Sequence, residues 1–430
     1  MRRKYVAVVI LFLSGFVLSA LYTNMDRPLV ASKLNIYLSP SGNDSADGLT
    51  TKTAILSLKR AHVIAAARMK SKPTDIIVNV ASGTYYNQPV VWTAVHKDFY
   101  VIIKGTSPYS RPRFDGRADS VATLGASRAF FVLNARGGMS NLTIENLSIT
   151  YYAEAISFNG SREATETGYN GSNKIIYNQF DKIGSMYMQD KTPAYAVVRF
   201  LNSRNNLVSG NTFTNIHNIA ANASLLHSLY IASYSSNNNF TGNVFRSQSG
   251  DPIRIRDFSN FNNITSNEID RAGSVGYSEW YCEQASQSNC TKDVPECPSW
   301  GNTFTKNNLK SVAAFKIYIN PTYDAKSSAC KLAAPAAASG KRLRTASNVS
   351  DNSTMVATKL NESLFFNFCP ASNNCVNSVG KCYASKSGTG RWLCDQNRWR
   401  LCATDSDIGS SFQGIICQRQ NTGIVGWSYK

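Results

Sequence analysis

Residues 225–271 read LLHSLYIASYSSNNNFTGNVFRSQSGDPIRIRDFSNFNNITSNEIDR and hold two copies of one pattern, 24 residues apart. Each copy has a short alternating strand, an Asn-rich bend and a corner of the form Asn-x-apolar. The strand occupies residues 229–231 in the first copy and residues 253–255 in the second. Repeats of about 20–50 residues are typical of solenoids, and Asn, Ser and Gly are poor helix formers. The stretch therefore predicts an all-β chain that folds as a right-handed parallel β-helix.

The outward side chains of these two strands form a polar group. Because strand residues alternate between faces, we expect the apolar residues to point inward and Tyr230, Arg254 and Arg256 to point outward. Tyr230 and Arg254 occupy equivalent positions in successive coils, which predicts a separation of about 4.8 Å. His227 and Asp251 are also 24 residues apart. These residues predict a polar surface patch that is either a functional site or a solvated face with an Arg–Asp ion pair.

Two neighbouring segments are expected to extend this patch. Residues 195–201 read YAVVRFL and form the strand one coil earlier, where Arg199 stacks beside Tyr230 if the intervening bend is one residue shorter. Residues 278–300 form a loop rich in Trp, Tyr and Cys, in which Trp280 either stacks on sugar rings or packs over the coil. Insertions on one side of a solenoid usually build the walls of a groove.

The charge of the chain indicates an anionic partner. The formal net charge is +18, although only 17% of the residues are charged. An acidic polysaccharide, a nucleic acid and an anionic surface would each fit such an excess. The basic residues form no long block and no nucleic-acid-binding motif is visible, so we expect an acidic polysaccharide and no nucleic acid.

The N-terminal segment and the cysteines indicate export. A basic start is followed by an apolar run up to Tyr22, so residues 1–22 are expected to be a signal peptide or an uncleaved signal anchor, the latter being the one case of a membrane contact. Four Cys lie between Cys282 and Cys330 and six between Cys369 and Cys417, numbers that suit disulfide bonds. No Cys-x-x-Cys pair is present, so we expect no zinc site. The predicted location is extracellular or periplasmic, and the predicted state is a monomer.

The order of the segments defines the expected domains. Residues 34–330 are expected to form the β-helix, and an apolar-periodic helix at residues 56–69 is expected to cap its first coil. Residues 331–363, rich in Ala, Ser, Asn and Lys, are expected to be a linker or long loop. Residues 364–430 form a Cys- and Trp-rich tail that either caps the other end or binds carbohydrate.

The opening of the β-helix resembles the first coil of secreted proteins of the pectate-lyase-like superfamily. In that superfamily a strand, a Ser-x-x-Gly-x-Asp loop and a helix cap the solenoid. The residues that carry the resemblance are Ser39, Gly42, Asn43, Asp44 and Gly48. This resemblance implies the fold and says nothing about a reaction.

Residues 233–257 are similar to the catalytic region of alginate lyases and chondroitinase B. In that family the base is a Lys before a Ser-Ser-x-Asn bend, and the acid is an Arg at the end of a later strand. The bend at residues 235–236 matches, and the resemblance implies Arg256 in the place of the Arg. Tyr234 occupies the position of the Lys, so a tyrosine base, either Tyr230 or Tyr234, would be needed.

The chemistry of the patch suits β-elimination on a uronic acid polymer. Arg254 or Arg256 would neutralise the carboxylate and so make the neighbouring carbon more acidic. Tyr230 or His227 would act as base and acid. Calcium replaces the Arg in sites where carboxylates are grouped, and it stays an open alternative although the acidic residues here form no clear cluster.

Three functions remain open from the sequence. The first is a polysaccharide lyase, or an epimerase that abstracts the same proton and returns it to the other face. The second is a glycoside hydrolase, which needs two carboxylates about 5–10 Å apart, with Asp251 and Asp257 as candidates. The third is a solenoid that binds carbohydrate without catalysis.

Overall fold

The computed structural model describes residues 33–107, 109–162, 166–270, 272–273, 275–281 and 296–310, and the backbone of several later strands. The chain winds through three long sheets, in each of which neighbouring strands come from successive coils and run parallel. This arrangement confirms the predicted right-handed parallel β-helix.

Sheet A has ten strands, which are Leu34–Leu38, Ile76–Val80, Val101–Gly105, Leu142–Glu145, Lys174–Ile176, Leu207–Ser209, Asn239–Thr241, Asn263–Thr265, Thr303–Thr305 and Asn348–Ser350. Sheet B has nine, which are Thr84–Tyr86, Arg113–Asp115, Ser148–Thr150, Gln179–Ile183, Thr212–Ile216, Val244–Gln248, Glu268–Asp270, Asn308–Leu309 and Ser353–Thr354. Sheet C has eight, which are Val90–Trp92, Ala129–Asn134, Glu154–Asn159, Ala196–Leu201, His227–Ala232, Ile253–Arg256, Tyr277–Trp280 and Ile317–Tyr318.

Smaller elements complete the described chain. A three-stranded parallel sheet joins Gly138–Met139, Asn170–Gly171 and Ser203–Arg204. Two short 3₁₀ helices, Ser185–Tyr187 and Ala220–Leu225, each connect a strand of sheet B with the next strand of sheet C. Near the C-terminus, antiparallel pairing joins Trp392–Asp395 with Arg398–Leu401, and Ile415–Arg419 with both Ser411–Phe412 and Val425–Tyr429.

Apolar side chains fill the interior because each strand turns alternate residues inward. The rings of Phe180, Phe213 and Phe245 stack on successive coils with centroids 4.7 and 5.0 Å apart. All three residues are fully buried. The period of the sequence thus becomes a continuous column of aromatic contacts along the solenoid.

The bends between sheets A and B are held by a column of buried asparagines. Each side-chain amide donates to the side-chain oxygen of the next member at 3.0–3.1 Å, along the series Asn178, Asn211, Asn243, Asn267 and Asn307. The oxygen also accepts from the backbone N–H of the preceding member. A buried bend has backbone groups without sheet partners, and the amide satisfies them.

The N-terminal helix Leu58–Ser71 forms the predicted cap. Its first turn is closed by the N-cap Ser57, whose hydroxyl accepts from the backbone N–H of Arg60 at 3.1 Å. Leu58, Ala61 and Ala65 are buried in the same core cluster as the first strands. The helix therefore shields apolar surface of the first coil of the described residues.

The stack of coils continues beyond residue 330. Asn348–Ser350 pairs in parallel with Thr303–Thr305, and Ser353–Thr354 pairs with Asn308–Leu309. Both later strands lie in the segment 331–363, which was expected to be a linker. They form strands because residues 348–354 repeat the alternation of residues 303–309.

Residues 1–22 lie outside the described residues. None of the described helices has the length and apolar character needed to cross a membrane.

Candidate functional site

The outward side chains of sheet C form a row across four successive coils. Arg199 lies in register with Tyr230, Tyr230 with Arg254, and Arg254 with Ser278. Neighbouring strands are about 4.8 Å apart, so these side chains follow one another along the sheet. This register confirms the stacking of Tyr230 on Arg254 and the position of Arg199 beside Tyr230. In the following outward row, Arg256 lies in register with Trp280.

Arg256 links the two rows through Tyr230. Its Nη1 donates to the phenol oxygen of Tyr230 at 2.8 Å. The guanidinium lies over the Trp280 ring at 4.1 Å and over the Tyr230 ring at 5.8 Å, and it pairs with the carboxylate of Glu296. Burial lowers the pKa of Arg256 from its usual value. The phenol oxygen of Tyr230 is therefore held by a charged donor in a partly desolvated setting.

Arg254 is fixed by a buried carboxylate. Its Nε and Nη2 donate to Oδ2 of Asp251 at 3.1 and 2.6 Å, and Nε also reaches Oγ of Ser278 at 3.2 Å. Ser278 in turn donates to the same carboxylate oxygen at 2.5 Å. No hydrogen bond within the described part of the chain occupies Nη1 of Arg254.

Arg199 has a similar but more open support. Its Nε donates to Oγ of Ser157 at 3.0 Å, and its Nη2 lies 3.5 Å from Oε2 of Glu154. All three arginines thus have a carboxylate partner, namely Glu154, Asp251 or Glu296. The sequence analysis missed Glu154 and Glu296. Coil alignment would have placed Glu154 near Arg199, but no repeat marks Glu296, which lies in the loop after sheet C.

His227 and Asp251 are not on the surface, which corrects the sequence prediction. They are 2% and 1% exposed. Both lie beneath the outward row, because the His227 ring stacks on the Tyr230 ring and the Asp251 carboxylate accepts from Arg254 and Ser278. Nδ1 of His227 lies 2.9 Å from the backbone carbonyl oxygen of Asp251, which fixes the proton on Nδ1 because a carbonyl only accepts.

The His227 ring supports Tyr230 from below. The two rings stack at 5.7 Å with an interplanar angle of 17°. Burial, and next the positive charge of Arg254, lower the pKa of His227 to about 3. The imidazole is therefore neutral at ordinary pH, and it contacts the Tyr230 ring rather than solvent.

Tyr234 lies in a different environment from Tyr230. It stacks on Phe258 at 5.2 Å, and both belong to a small cluster with Trp300 and Cys297. Burial, and next the charge of Asp257, raise the pKa of Tyr234 above its usual value. These contacts separate Tyr234 from the row on sheet C that holds Tyr230.

The two carboxylates considered for hydrolysis lie at opposite ends of the strand Ile253–Arg256. Asp251 precedes this strand and is buried against Arg254 and Ser278. Asp257 follows it, and burial raises the pKa of its carboxyl. For calcium, no group of three His, Cys, Asp or Glu side chains suited to hold a metal ion occurs within the described ranges.

No protein-family model matches the chain, and no curated protein matches its sequence. Among solved structures, it is similar to an alginate lyase from Paenibacillus sp. str. FPU-7, with 10% identity, 76% of this chain and 96% of that chain covered, and a TM-score of 0.39. It is similar to pectate lyase Pel9A, with 13% identity, 90% and 95% coverage, and a TM-score of 0.38. It is also similar to the tailspike protein of E. coli bacteriophage HK620 in complex with pentasaccharide, with 10% identity, 71% and 56% coverage, and a TM-score of 0.39.

These likenesses concern the fold alone. The β-helix architecture that the resemblance of the sequence implies is shown by the parallel sheets of this chain. Identities this low and TM-scores below 0.5 say nothing about the reaction of this chain.

Proposed function

We propose that this protein acts on an acidic polysaccharide and cleaves it by β-elimination at the outward row of sheet C. One observation carries the proposal. Tyr230 lies in register between Arg199 and Arg254, and Arg256 donates to its phenol oxygen at 2.8 Å. A phenol between three guanidinium groups combines a proton-transfer group with cations that bind carboxylates.

The arginines take different roles in this proposal. Nη1 of Arg254 binds the uronate carboxylate at the reacting sugar, and Arg199, one strand away, binds the neighbouring anionic sugar. Because Arg254 is already oriented by Asp251 and Ser278, little reorganisation is needed when the carboxylate arrives. Trp280, which covers Arg256, offers its other ring face to a sugar.

Tyr230 carries the proton transfer. As phenolate, its charge compensated by Arg256, it removes the proton from the carbon next to the carboxylate. The electron pair forms the new carbon–carbon double bond, and the glycosidic carbon–oxygen bond breaks. The leaving oxygen takes up the proton that Tyr230 has acquired. The products are one chain with a free hydroxyl and one with an unsaturated uronate.

Hydrolysis by paired carboxylates has less support in the same region. A general acid or base must exchange a proton with substrate or water. Asp251 is 1% exposed, and Arg254 and Ser278 occupy its Oδ2. Asp257 lies at the other end of the strand.

We also propose, from residues 1–22 and the cysteine pattern, that the protein acts outside the cytoplasm, where such polymers occur.

The test is to measure ultraviolet absorbance of the unsaturated uronate while the full chain is incubated with a panel of polyuronates. Tyr230→Phe keeps the ring stacked on His227 but removes the hydroxyl, and we expect the rate to fall by about 10²–10⁴-fold. Tyr177→Phe is the matched control, since Tyr177 is 56% exposed at a corner outside sheet C. Its rate should stay as in the unchanged protein.

Other outcomes would decide against elimination. No absorbance with any polymer, together with new reducing ends, would show hydrolysis. Uptake of solvent deuterium by the polymer without absorbance would show proton abstraction without bond cleavage, as in an epimerase. Equal rates in Tyr230→Phe and Tyr177→Phe would remove Tyr230 from the mechanism. Binding without any product would leave a non-catalytic solenoid.

A further inference from the structure

Sheet B carries a second polar surface that the elimination mechanism does not use. Its outward residues form two rows across successive coils. Register pairs Ser148 with Gln179 and Gln179 with Thr212 in one row. It pairs Thr150 with Asp181 and Asp181 with Thr214 in the other. Each strand therefore presents two hydrogen-bonding side chains along the axis of the solenoid.

These two rows line a cavity of about 350 Å³. The strands bend directly after the second row, because Tyr151, Lys182 and Asn215 have φ values of 59°, 56° and 54° in three successive coils. Such bulges bend a strand and re-aim its side chains. A cavity of about 300–1,000 Å³ is typical of a small-ligand site, and this one lies near the lower end.

An unsatisfied hydroxyl lines the cavity at Thr150. This residue is 3% exposed, and its Oγ1 has no hydrogen-bond partner in the described part of the chain. Buried hydroxyls are normally paired, because leaving one unpaired costs about 1–3 kcal/mol. A bound ligand would supply the missing partner.

The charges around the cavity limit the chemistry of that ligand. The Asp181 carboxyl accepts from Nδ2 of Asn215 at 2.9 Å, and burial raises its pKa. Arg113 and Lys182 also line the cavity and disfavour a metal cation there. Asp181 disfavours an anion. A ligand whose groups both donate and accept hydrogen bonds therefore suits this mixture of amide, hydroxyl, carboxyl and cationic side chains.

We propose that the groove on sheet B is a second carbohydrate site, which binds an uncharged saccharide through its hydroxyl groups. The saccharide runs across the strands, with Gln179 and Thr212 at its upper edge and Thr150 and Asp181 beneath it. The site is separate from the row on sheet C and involves no bond cleavage, because hydrolysis needs two carboxyl groups and Asp181 is the one acidic residue among those that line the cavity. The proposal does not depend on elimination at Tyr230.

The test uses calorimetric titration of the full chain with neutral gluco-, xylo-, manno- and galacto-oligosaccharides. Thr150→Val removes the unpaired hydroxyl and keeps the shape, so the melting temperature should be unchanged or higher. The affinity for the saccharide that binds should fall about three- to tenfold, as expected for one lost hydrogen bond. Gln179→Ala, at an exposed position, should give a similar loss without a risk to folding.

Two controls separate this groove from other surfaces. Thr241→Val makes the same change at an outward position of sheet A, next to the buried Phe240, and should leave affinity unchanged. Tyr230→Phe should also leave it unchanged while abolishing elimination. Full affinity in both Thr150→Val and Gln179→Ala would overturn the proposal. So would the absence of binding to every neutral oligosaccharide, or an equal loss in Tyr230→Phe.

Discussion

At the scale of single residues, the row on sheet C is built for orientation more than for net charge. Arg199, Arg254 and Arg256 each have a carboxylate partner, so the patch carries little excess charge of its own. What remains are guanidinium N–H groups in fixed directions around one phenol. A guanidinium group held in one orientation can donate two parallel hydrogen bonds to a carboxylate, and it loses little conformational entropy on binding.

His227 gives the row a pH dependence of stability. Burial lowers its pKa to about 3, below the ordinary 6.5 of the unfolded chain. The unfolded state therefore binds the proton first, and stability is full above about pH 6.5 and is lost as the pH falls toward 3. By pH 4 the loss due to this one group should be on the order of 3 kcal/mol.

His227→Asn tests this, because the amide keeps a donor near the Asp251 carbonyl but does not titrate. Urea unfolding at several pH values between 4 and 7 should give a flatter profile for the variant than for the unchanged protein. Burial also lowers the pKa of His217, to about 4. Because His217 is present in both proteins, its contribution cancels when the two profiles are compared. Parallel profiles for His227→Asn and the unchanged protein would contradict the argument.

At the scale of elements, the asparagine column fixes where each coil bends. Asn211 donates to the carbonyl of Ile175 at 2.8 Å and to Asn243 at 3.0 Å, and it accepts from the backbone and side chain of Asn178. Its removal leaves several buried groups without partners at once. In a solenoid each coil contacts only its neighbours, so the damage stays local but cannot be relieved from elsewhere.

Asn211→Ala should therefore lower the free energy of unfolding by about 2–5 kcal/mol. The matched control is Asn239→Ala, at an outward position of sheet A where the side chain accepts a single bond from Asn263 at 3.1 Å. That change should cost less than about 1 kcal/mol. Urea unfolding of the two variants measures the difference. Equal midpoints would mean that the column is not what holds the bends.

The repeat determines how much of the fold and of the candidate site could be predicted from the sequence. The spacing of 24 residues between these two coils predicts the register of Tyr230 on Arg254, and the outward direction of both side chains follows from alternation. The burial of His227 and Asp251 could not be predicted in this way, because it comes from their contacts with Tyr230, Arg254 and Ser278. The groove on sheet B leaves no such trace. It depends on left-handed residues at Tyr151 and Lys182, types that do not favour this conformation, and on a hydroxyl whose partner is absent from the sequence.

At the scale of the whole molecule, the excess charge and the proposed sites have separate roles. The formal net charge is +18, while the arginines of the sheet C row are balanced by carboxylates. The excess positive charge must therefore come from residues elsewhere on the chain. Such a field raises the encounter rate of an acidic polymer over a wide surface, and it weakens steeply with ionic strength. Hydrogen bonds to a neutral saccharide respond little to salt.

This difference predicts opposite salt responses for the two surfaces. Raising NaCl from about 0.05 M to about 0.5 M shortens the Debye length by roughly threefold and should weaken polyuronate binding at least tenfold. Neutral oligosaccharide binding in the sheet B groove should change by less than about twofold under the same conditions, because no net charge is neutralised there. Calorimetric titration of both ligands across the salt series measures the two slopes. Equal slopes would mean that both ligands bind one surface, and a polyuronate affinity unaffected by salt would mean that the net charge of the chain takes no part in binding.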